Sequence, residues 1–422
     1  MIEILNCLYL IIFFSVLFRL KFNDSIINKL FQSNNFSLFE KYSINILVVL
    51  LILLFFSFFN FDNTIVVYFL VVLNIFSLVQ NIKKNNFINY FSSKNIFILL
   101  ILTFVISIDL VSNIQLGWDG HIWYFKALNY YENLSFFNLK NTMMNHYPHL
   151  GGIIWGLFWK ISFLDYEYFG RIVYTFIYVV TILLIAEKIS NNFNIKLIFS
   201  LVFFFLTYDL ALFSGYQAYL IFSLIVIIVN LLNNINLKKT SYYQLTFFIF
   251  SSYLLTWIKN EGLFYFSFIV FYIVFFQENK KRFFCLIIFA LLVLLRIFLM
   301  DKISNSSSSL LNFNSFDLIL DDLLFKIYLI TKYFIIGLFK YPIWILLIVS
   351  LLLNKLNQKE YYIIYFGISS IVFIYSVYLF SGSQNLVWHL SGSLDRLMFH
   401  LSGFFMLFIA YRLKYFFKFF IK

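Results

Sequence analysis

The stretch YQLTFFIFSSYLLTWIKNEGLFYFSFIVFYIVFF, residues 243–276, decides the fold. Its 34 residues are dominated by apolar side chains around one charged knot, Lys259-Asn260-Glu261-Gly262. As a single helix it would be about 51 Å long, against roughly 30 Å of hydrocarbon in a bilayer. It therefore reads as two membrane crossings that turn at Lys259 to Gly262. A Lys and a Glu at the bilayer centre would each cost about 2.5–3.5 kcal/mol, and a turn at the interface removes most of that cost.

Composition extends this reading to the whole chain. Hydrophobic residues make up 62% of the 422 and charged residues 12%, and mean hydropathy is +0.89, more apolar surface than a soluble core could enclose. The chain is expected to be an all-α polytopic membrane protein. Apolar runs place about thirteen spans near 4–18, 43–60, 64–81, 95–112, 171–188, 197–213, 216–233, 243–257, 262–276, 283–299, 335–353, 361–380 and 396–412. The first run has Glu3 where a signal peptide would be basic and lacks a small-residue cleavage site, so it reads as a retained span. Cys7 and Cys285 both fall in spans, which argues against a disulfide framework or a thiolate metal site.

The net charge of +12 reads as topology, not as a nucleic-acid footprint. Basic residues cluster at Arg19 to Lys41, at Lys83, Lys84 and Lys94, and at Lys188 and Lys196. The series continues with Lys238 and Lys239, Lys280 to Arg282, Lys355 and Lys359, and Lys414 to Lys422. When thirteen spans alternate, every cluster falls on one side, which the positive-inside rule makes cytoplasmic. The alternation requires that 150–162 does not cross fully and that 323–332 lies along the outer surface. The expected localisation is a bacterial cytoplasmic membrane, with the opposite face carrying a first large extracytoplasmic loop, 113–170, built with short surface helices. Loops of that length between otherwise tight turns are usually functional.

Within this loop lie Gly117-Trp118-Asp119-Gly120, Trp123 and, further on, His146-Tyr147-Pro148-His149. The glycines allow a sharp turn at the membrane surface. A carboxylate beside Trp118 and Trp123 at the interface would be partly desolvated, raising its basicity toward that of a general base. Equally, Asp119 could be a turn residue among tryptophans of the interfacial belt. His146 and His149 could bind a phosphate or simply be solvated, and without a second nearby carboxylate a divalent metal has no support. No cofactor is expected. On the same face the alternation places Lys259 and Glu261, the turn Gly215-Tyr216-Gln217, and Arg396. The guanidinium fork of Arg396 suits a phosphate, although Asp395 or a lipid headgroup could equally pair with it.

Taken in order, Trp118, Asp119, Trp123, Lys126 and Ala127, then Tyr147, Pro148, His149 and Leu150, Gly215 and Tyr216, Lys259 to Gly262 and the late Arg396 resemble the GT-C-type integral membrane glycosyltransferases. The likeness is to the group related to protein O-mannosyltransferases and lipid A aminoarabinose transferases. It covers residues 95–412 as a catalytic core, with 113–170 its catalytic loop, 1–94 accessory helices and 413–422 a basic tail. The resemblance implies transfer of a sugar from a polyprenyl-phosphate donor to a glycan, lipid or protein acceptor outside the membrane. Asp119 would be the catalytic base. Lys259, Arg396, His146 and His149 would hold the donor phosphate, and Trp118, Trp123, Tyr147, Glu261 and Tyr216 would line the substrate pocket. This chain departs from the family pattern with His149 after Tyr-Pro, with Gln217 after Gly-Tyr, and with a second acid no nearer than Asp165 or Glu167.

Two other classes share a high span count. A transporter or flippase of lipid-linked sugars would place charges near the midplane on broken, repeated helices, whereas these motifs gather at one interface. An O-antigen polymerase or ligase would be expected to carry its large loop late in the chain.

Overall fold

In the computed structural model, residues 1–20, 36–59, 62–84, 93–112, 116–207, 215, 217–304, 323–340, 342–352, 358–380 and 386–420 are described. Among them the regular structure is helical, with no strand. The helices are α1 (Ile2–Leu17), α2 (Leu38–Ser57), α3 (Asn63–Lys84), α4 (Lys94–Ser112), α5 (Trp118–Tyr131), α6 (Leu150–Ile161), α7 (Tyr168–Ile189) and α8 (Phe193–Thr207). They continue as α9 (Ala218–Asn233), α10 (Tyr242–Thr256), α11 (Gly262–Phe275), α12 (Asn279–Ile303), α13 (Leu323–Lys340), α14 (Ile343–Leu352), α15 (Gln358–Leu379) and α16 (Leu386–Phe420). A 3-10 turn, Phe136–Asn141, lies between α5 and α6.

By length and composition α2, α3, α7, α12 and α16 can cross a membrane, and α13 with α14 makes a sixth if the bent pair counts once. A helix overlaps each of the expected spans except 335–353, which straddles the break between α13 and α14. Several, such as α9 and α11 with 16 and 14 residues, rise only about 21–24 Å, short of a full hydrocarbon layer. The expected surface piece at 323–332 is not separate. Helix α13 runs on past it, and the chain turns by 83° only before α14. Pro342 precedes that helix, where its missing N–H removes no intrahelical bond.

Contacts divide the chain into two units, 1–184 with 209–305, and 185–208 with 306–422. Residues 1–94 are therefore not set apart: α1 packs on α4 and α3, and α2 on α6, α9 and α10. In the second unit, α16 is the central helix, surrounded by α8, α13, α14 and α15. The ring of Phe405 fills the space above Gly367, where a Cβ would come within 2.3 Å of it. Arg412 Nε donates to the Ser350 carbonyl at 3.1 Å.

Hydrogen bonds between helix ends order the first unit. At one end Ser37 and Glu40 form a capping box that starts α2, and Asn234, just past α9, donates to Glu40 at 2.6 Å. A second capping box, Ser241 with Gln244, starts α10. Beside it Lys281 Nζ donates to the Thr240 carbonyl at 2.7 Å, and Gln277 Nε2 to that of Leu237 at 2.6 Å. At the other end α2 finishes at Ser57, whose hydroxyl meets His149, and α3 begins at Asn63, which donates to the Tyr130 carbonyl at 3.0 Å. Lys238, Lys239 and Lys281 thus lie at the end opposite His149.

Helix α6 corrects the expectation of short surface helices in 113–170. All of its residues except Lys160 are buried. Gly152 and Gly156 let its backbone close on α5: a Cβ on Gly152 would fall 2.6 Å from Lys126 Cβ, and one on Gly156 2.3 Å from the Ala127 carbonyl oxygen. At about 18 Å, α6 is too short to cross a bilayer.

Candidate functional site

The motifs that are far apart in sequence meet at the end of the first unit where α5 and α6 begin. Gly117 is extended, with φ −67° and ψ 165°, and turns the chain into α5. Asp119 belongs to the first turn of that helix; its side chain, that of Trp118, and the whole of Tyr216 lie outside the described residues. The backbone beside Asp119 is nonetheless fixed in place. Gly215, at φ +93°, is so close to Gly120 that a Cβ there would sit 2.8 Å from Gly120 Cα. Only glycine adopts this conformation freely, and only glycine permits this approach.

The 258–261 turn joins the same end. The Leu150 amide, at the start of α6, donates to the Trp257 carbonyl at 2.8 Å. Arg296 of α12 clamps the turn from beneath, with Nε on the Thr256 carbonyl at 3.0 Å and an η-nitrogen on Asn260 Oδ1 at 2.8 Å. Lys259 is buried, with 7% of its surface exposed. Glu261 is half-buried, and its Oε2 has no hydrogen-bond partner among the described residues.

Lys126 is the side chain that the sequence does not single out as a site residue. It is fully buried at the α5–α6 contact, and its Nζ donates to the Tyr147 carbonyl at 3.0 Å. Burial pulls its pKa from 10.5 down to about 7. Its spacing gave no warning, because burial comes from Gly152, 26 positions along the chain.

The expected roles of His149 and Trp123 need correction. The His149 side chain is fully buried between Phe58, Phe136, Tyr130 and Trp257, with ring centroids 4.8–6.1 Å away. Its Nε2 shares a hydrogen bond with Ser57 Oγ at 3.1 Å, while Nδ1 has no partner among the described residues. Burial, with Lys126 adding to it, holds its pKa well below the ordinary histidine value, so it is neutral at pH 7. An enclosed neutral ring cannot hold a donor phosphate; it knits α2 to the start of α6. Trp123 is 2% exposed and packs edge-on against Tyr147 at 6.0 Å, leaving no face for a sugar. His146 and Tyr147 are half-buried at the surface of the same cluster, their rings 4.8 Å apart. Burial first and Lys126 second lower the His146 pKa.

Asp165 and Glu167, the nearest further acids, are already engaged. Asp165 accepts from the Tyr131 hydroxyl at 2.6 Å. Glu167 pairs with Arg171 at 3.0 Å; burial raises its pKa, and the guanidinium opposes that rise. Arg396 belongs to the second unit, on α16, where its Nε donates to the Gly392 carbonyl at 3.1 Å. Among the described residues no group of three His, Cys, Asp or Glu is placed to share a metal ion.

Compared with protein-family models, characterised proteins and solved structures, the chain matches none. The resemblance to GT-C enzymes therefore rests on the short sequence motifs alone.

Proposed function

We propose that this chain is a membrane glycosyltransferase that moves a sugar from a polyprenyl-phosphate donor to a glycan, lipid or protein acceptor of the cell envelope, on the outer face of the cytoplasmic membrane. The observation that carries the proposal is the meeting of the motifs. Segments 117–126, 146–150, 215–217 and 257–262, spread over more than a hundred residues, are joined at one end of one unit by the Leu150–Trp257 hydrogen bond and the Gly120–Gly215 contact. Alternating spans already bring every second turn to one end; here the turns also touch one another, as the parts of a reaction centre must.

In this reading Asp119 removes the proton from an acceptor hydroxyl. The oxygen forms a bond to the anomeric carbon as the bond from that carbon to the phosphate oxygen breaks, and the electron pair leaves with the lipid phosphate. Lys259 faces the growing negative charge, and a fixed positive group of this kind acts most strongly where water is excluded; His146 at the rim, its pKa lowered, offers a neutral hydrogen-bond donor. Glu261 and Tyr147 border the substrate, together with Trp118 and Tyr216 from the sequence reading.

The experiment is transfer from radiolabelled polyprenyl-phosphate mannose, glucose and aminoarabinose in membranes that hold the full chain. Wild-type protein is expected to consume one of these donors and Asp119→Asn none. Turnover by Asp119→Asn at the wild-type rate removes Asp119 from the base role, and no consumption by the wild type removes the function.

A further inference from the structure

Helix α5 has a second working face. Lys126, Ala127 and Tyr130 point into the contact with α6, whereas Phe125, Asn129 and Glu132, spaced by four and three, line a cavity of about 390 Å³ closed by Asn138, Asn141 and Thr142. That volume falls within the roughly 300–1,000 Å³ of small-molecule sites. We propose that this cavity binds a neutral sugar residue.

The lining states the chemistry. No lysine, arginine or histidine borders the cavity, which disfavours a phosphate or carboxylate ligand, and its single carboxylate, Glu132, is too few for a metal ion. What it offers is three amides set among the apolar side chains of Leu128, Leu134 and Met143. Asn129 Nδ2 donates to the Ser135 carbonyl at 3.1 Å, leaving its Oδ1 as an acceptor. Asn138 Oδ1 accepts from Ser135 Oγ at 2.6 Å, leaving its two N–H groups as donors. Glu132 and Asn141 are exposed, and their side chains make no hydrogen bond to other described residues. Each sugar hydroxyl both donates and accepts, and amides beside a carboxylate are the side chains that answer both demands. Phe125, 43% exposed, supplies an apolar face for the C–H side of a sugar ring.

The backbone gives an independent sign. Among the described residues two that are not glycine have positive φ, Asn133 at 63° and Met144 at 50°. One follows Glu132 and the other follows Met143, so both flank this cavity. Asparagine tolerates the left-handed region, but for methionine it costs about 1–2 kcal/mol, and such strain gathers at ligand clamps. Asn133 is pinned from two sides, its Oδ1 accepting from Thr64 Oγ1 at 3.2 Å and also from Lys160 Nζ. The Leu134 amide closes the turn on the Asn129 carbonyl at 2.9 Å. The frame is built before any ligand arrives.

Binding of a neutral sugar stands by itself. Its use as a subsite for a distal unit of the acceptor glycan rests on the glycosyltransferase reading. The test uses the full chain in lipid nanodiscs, since a maltoside detergent would itself compete. Saturation-transfer NMR is run with maltotriose, mannotriose and chitotriose, and with sialyllactose as the charged control. At least one neutral trisaccharide is expected to bind, at least about tenfold more weakly to Glu132→Ala/Asn141→Ala and to Phe125→Ala. All three altered residues are exposed, so the variants should insert and fold as the wild type does, which their thermal midpoints check. Binding by none of the three neutral sugars, binding only of sialyllactose, or binding unchanged in both variants overturns the proposal. Asp119-dependent transfer that persists beside any of these results overturns it alone and leaves the enzyme reading standing.

Discussion

Replacing Lys126 with methionine should stabilise the protein at neutral and acid pH. The folded state holds this amine with a pKa of about 7 against 10.5 for a free lysine, because burial disfavours the charged form. At about 1.4 kcal/mol per pH unit, the difference corresponds to about 5 kcal/mol. The unfolded chain binds the proton more tightly, so between about pH 7 and 10.5 stability rises with pH; below pH 7 both states are charged and the whole penalty applies. Methionine fills a similar volume without the charge. It also removes the hydrogen bond to the Tyr147 carbonyl, which costs about 1–3 kcal/mol. The net gain near pH 7 is then about 2–4 kcal/mol, or roughly 2–5 °C in thermal midpoint for a chain of 422 residues. The assay is the midpoint of the nanodisc-embedded protein from pH 6 to 10.5, wild type against Lys126→Met. The two curves should cross, with the variant below wild type at the alkaline end, where only the lost Tyr147 hydrogen bond separates them. A variant less stable than wild type at pH 7, or one with the same slope against pH, would show that Lys126 is compensated and that its burial is not the liability argued here.

The other expectations concern the contacts that assemble the site. Gly156→Val should drive α5 from α6, because even a Cβ would fall 2.3 Å from the Ala127 carbonyl oxygen; a loss of about 1–3 kcal/mol should appear as a lower thermal midpoint. Gly215→Ala meets both a φ of +93° and Gly120, so it should impair any transfer activity more than Gly392→Ala, where a Cβ meets nothing within 4 Å. Arg296→Met frees the Thr256 carbonyl and Asn260, and a cysteine placed at position 263, half-buried at the start of α11, should then react faster with a thiol reagent than in the parent; an unchanged rate would mean the turn holds itself.

The helices were legible because their cause is local. An apolar run answers to the bilayer wherever it stands, and the polar knot at 259–262 had to be a turn for reasons of length alone. Where legibility failed, the cause was a partner elsewhere in the chain. Residues 150–161 are apolar but for Lys160, which composition cannot separate from a surface or spanning helix. Only Gly152 and Gly156, spaced to admit α5, turn them into a buried post. The break of α13 at 342 instead of 332 is a milder case: Lys326 and Lys332 suggested an interfacial piece, but two lysines on a helix do not end it, and a proline does.

The site shows the same division. That Asp119, Lys259 and the Gly215 turn share an end followed from counting spans and charges, and the Leu150–Trp257 hydrogen bond and the Gly120–Gly215 contact join their backbones. What each side chain does there is a different kind of question, since it depends on access to water. His149 and Lys126 are both basic and both close to the motif, and the sequence favoured the histidine because it stands in a turn beside proline. In the folded unit four aromatic rings from α2, α5, the 3-10 turn and the end of α10 enclose the histidine. Nothing in His-Tyr-Pro-His announces them. Lys126 stayed hidden for the converse reason: it occupies a helix face that spacing alone assigns to packing. Packing is what strips its water and leaves an amine able to lose its proton near neutral pH, which an exposed lysine on the same helix would not do.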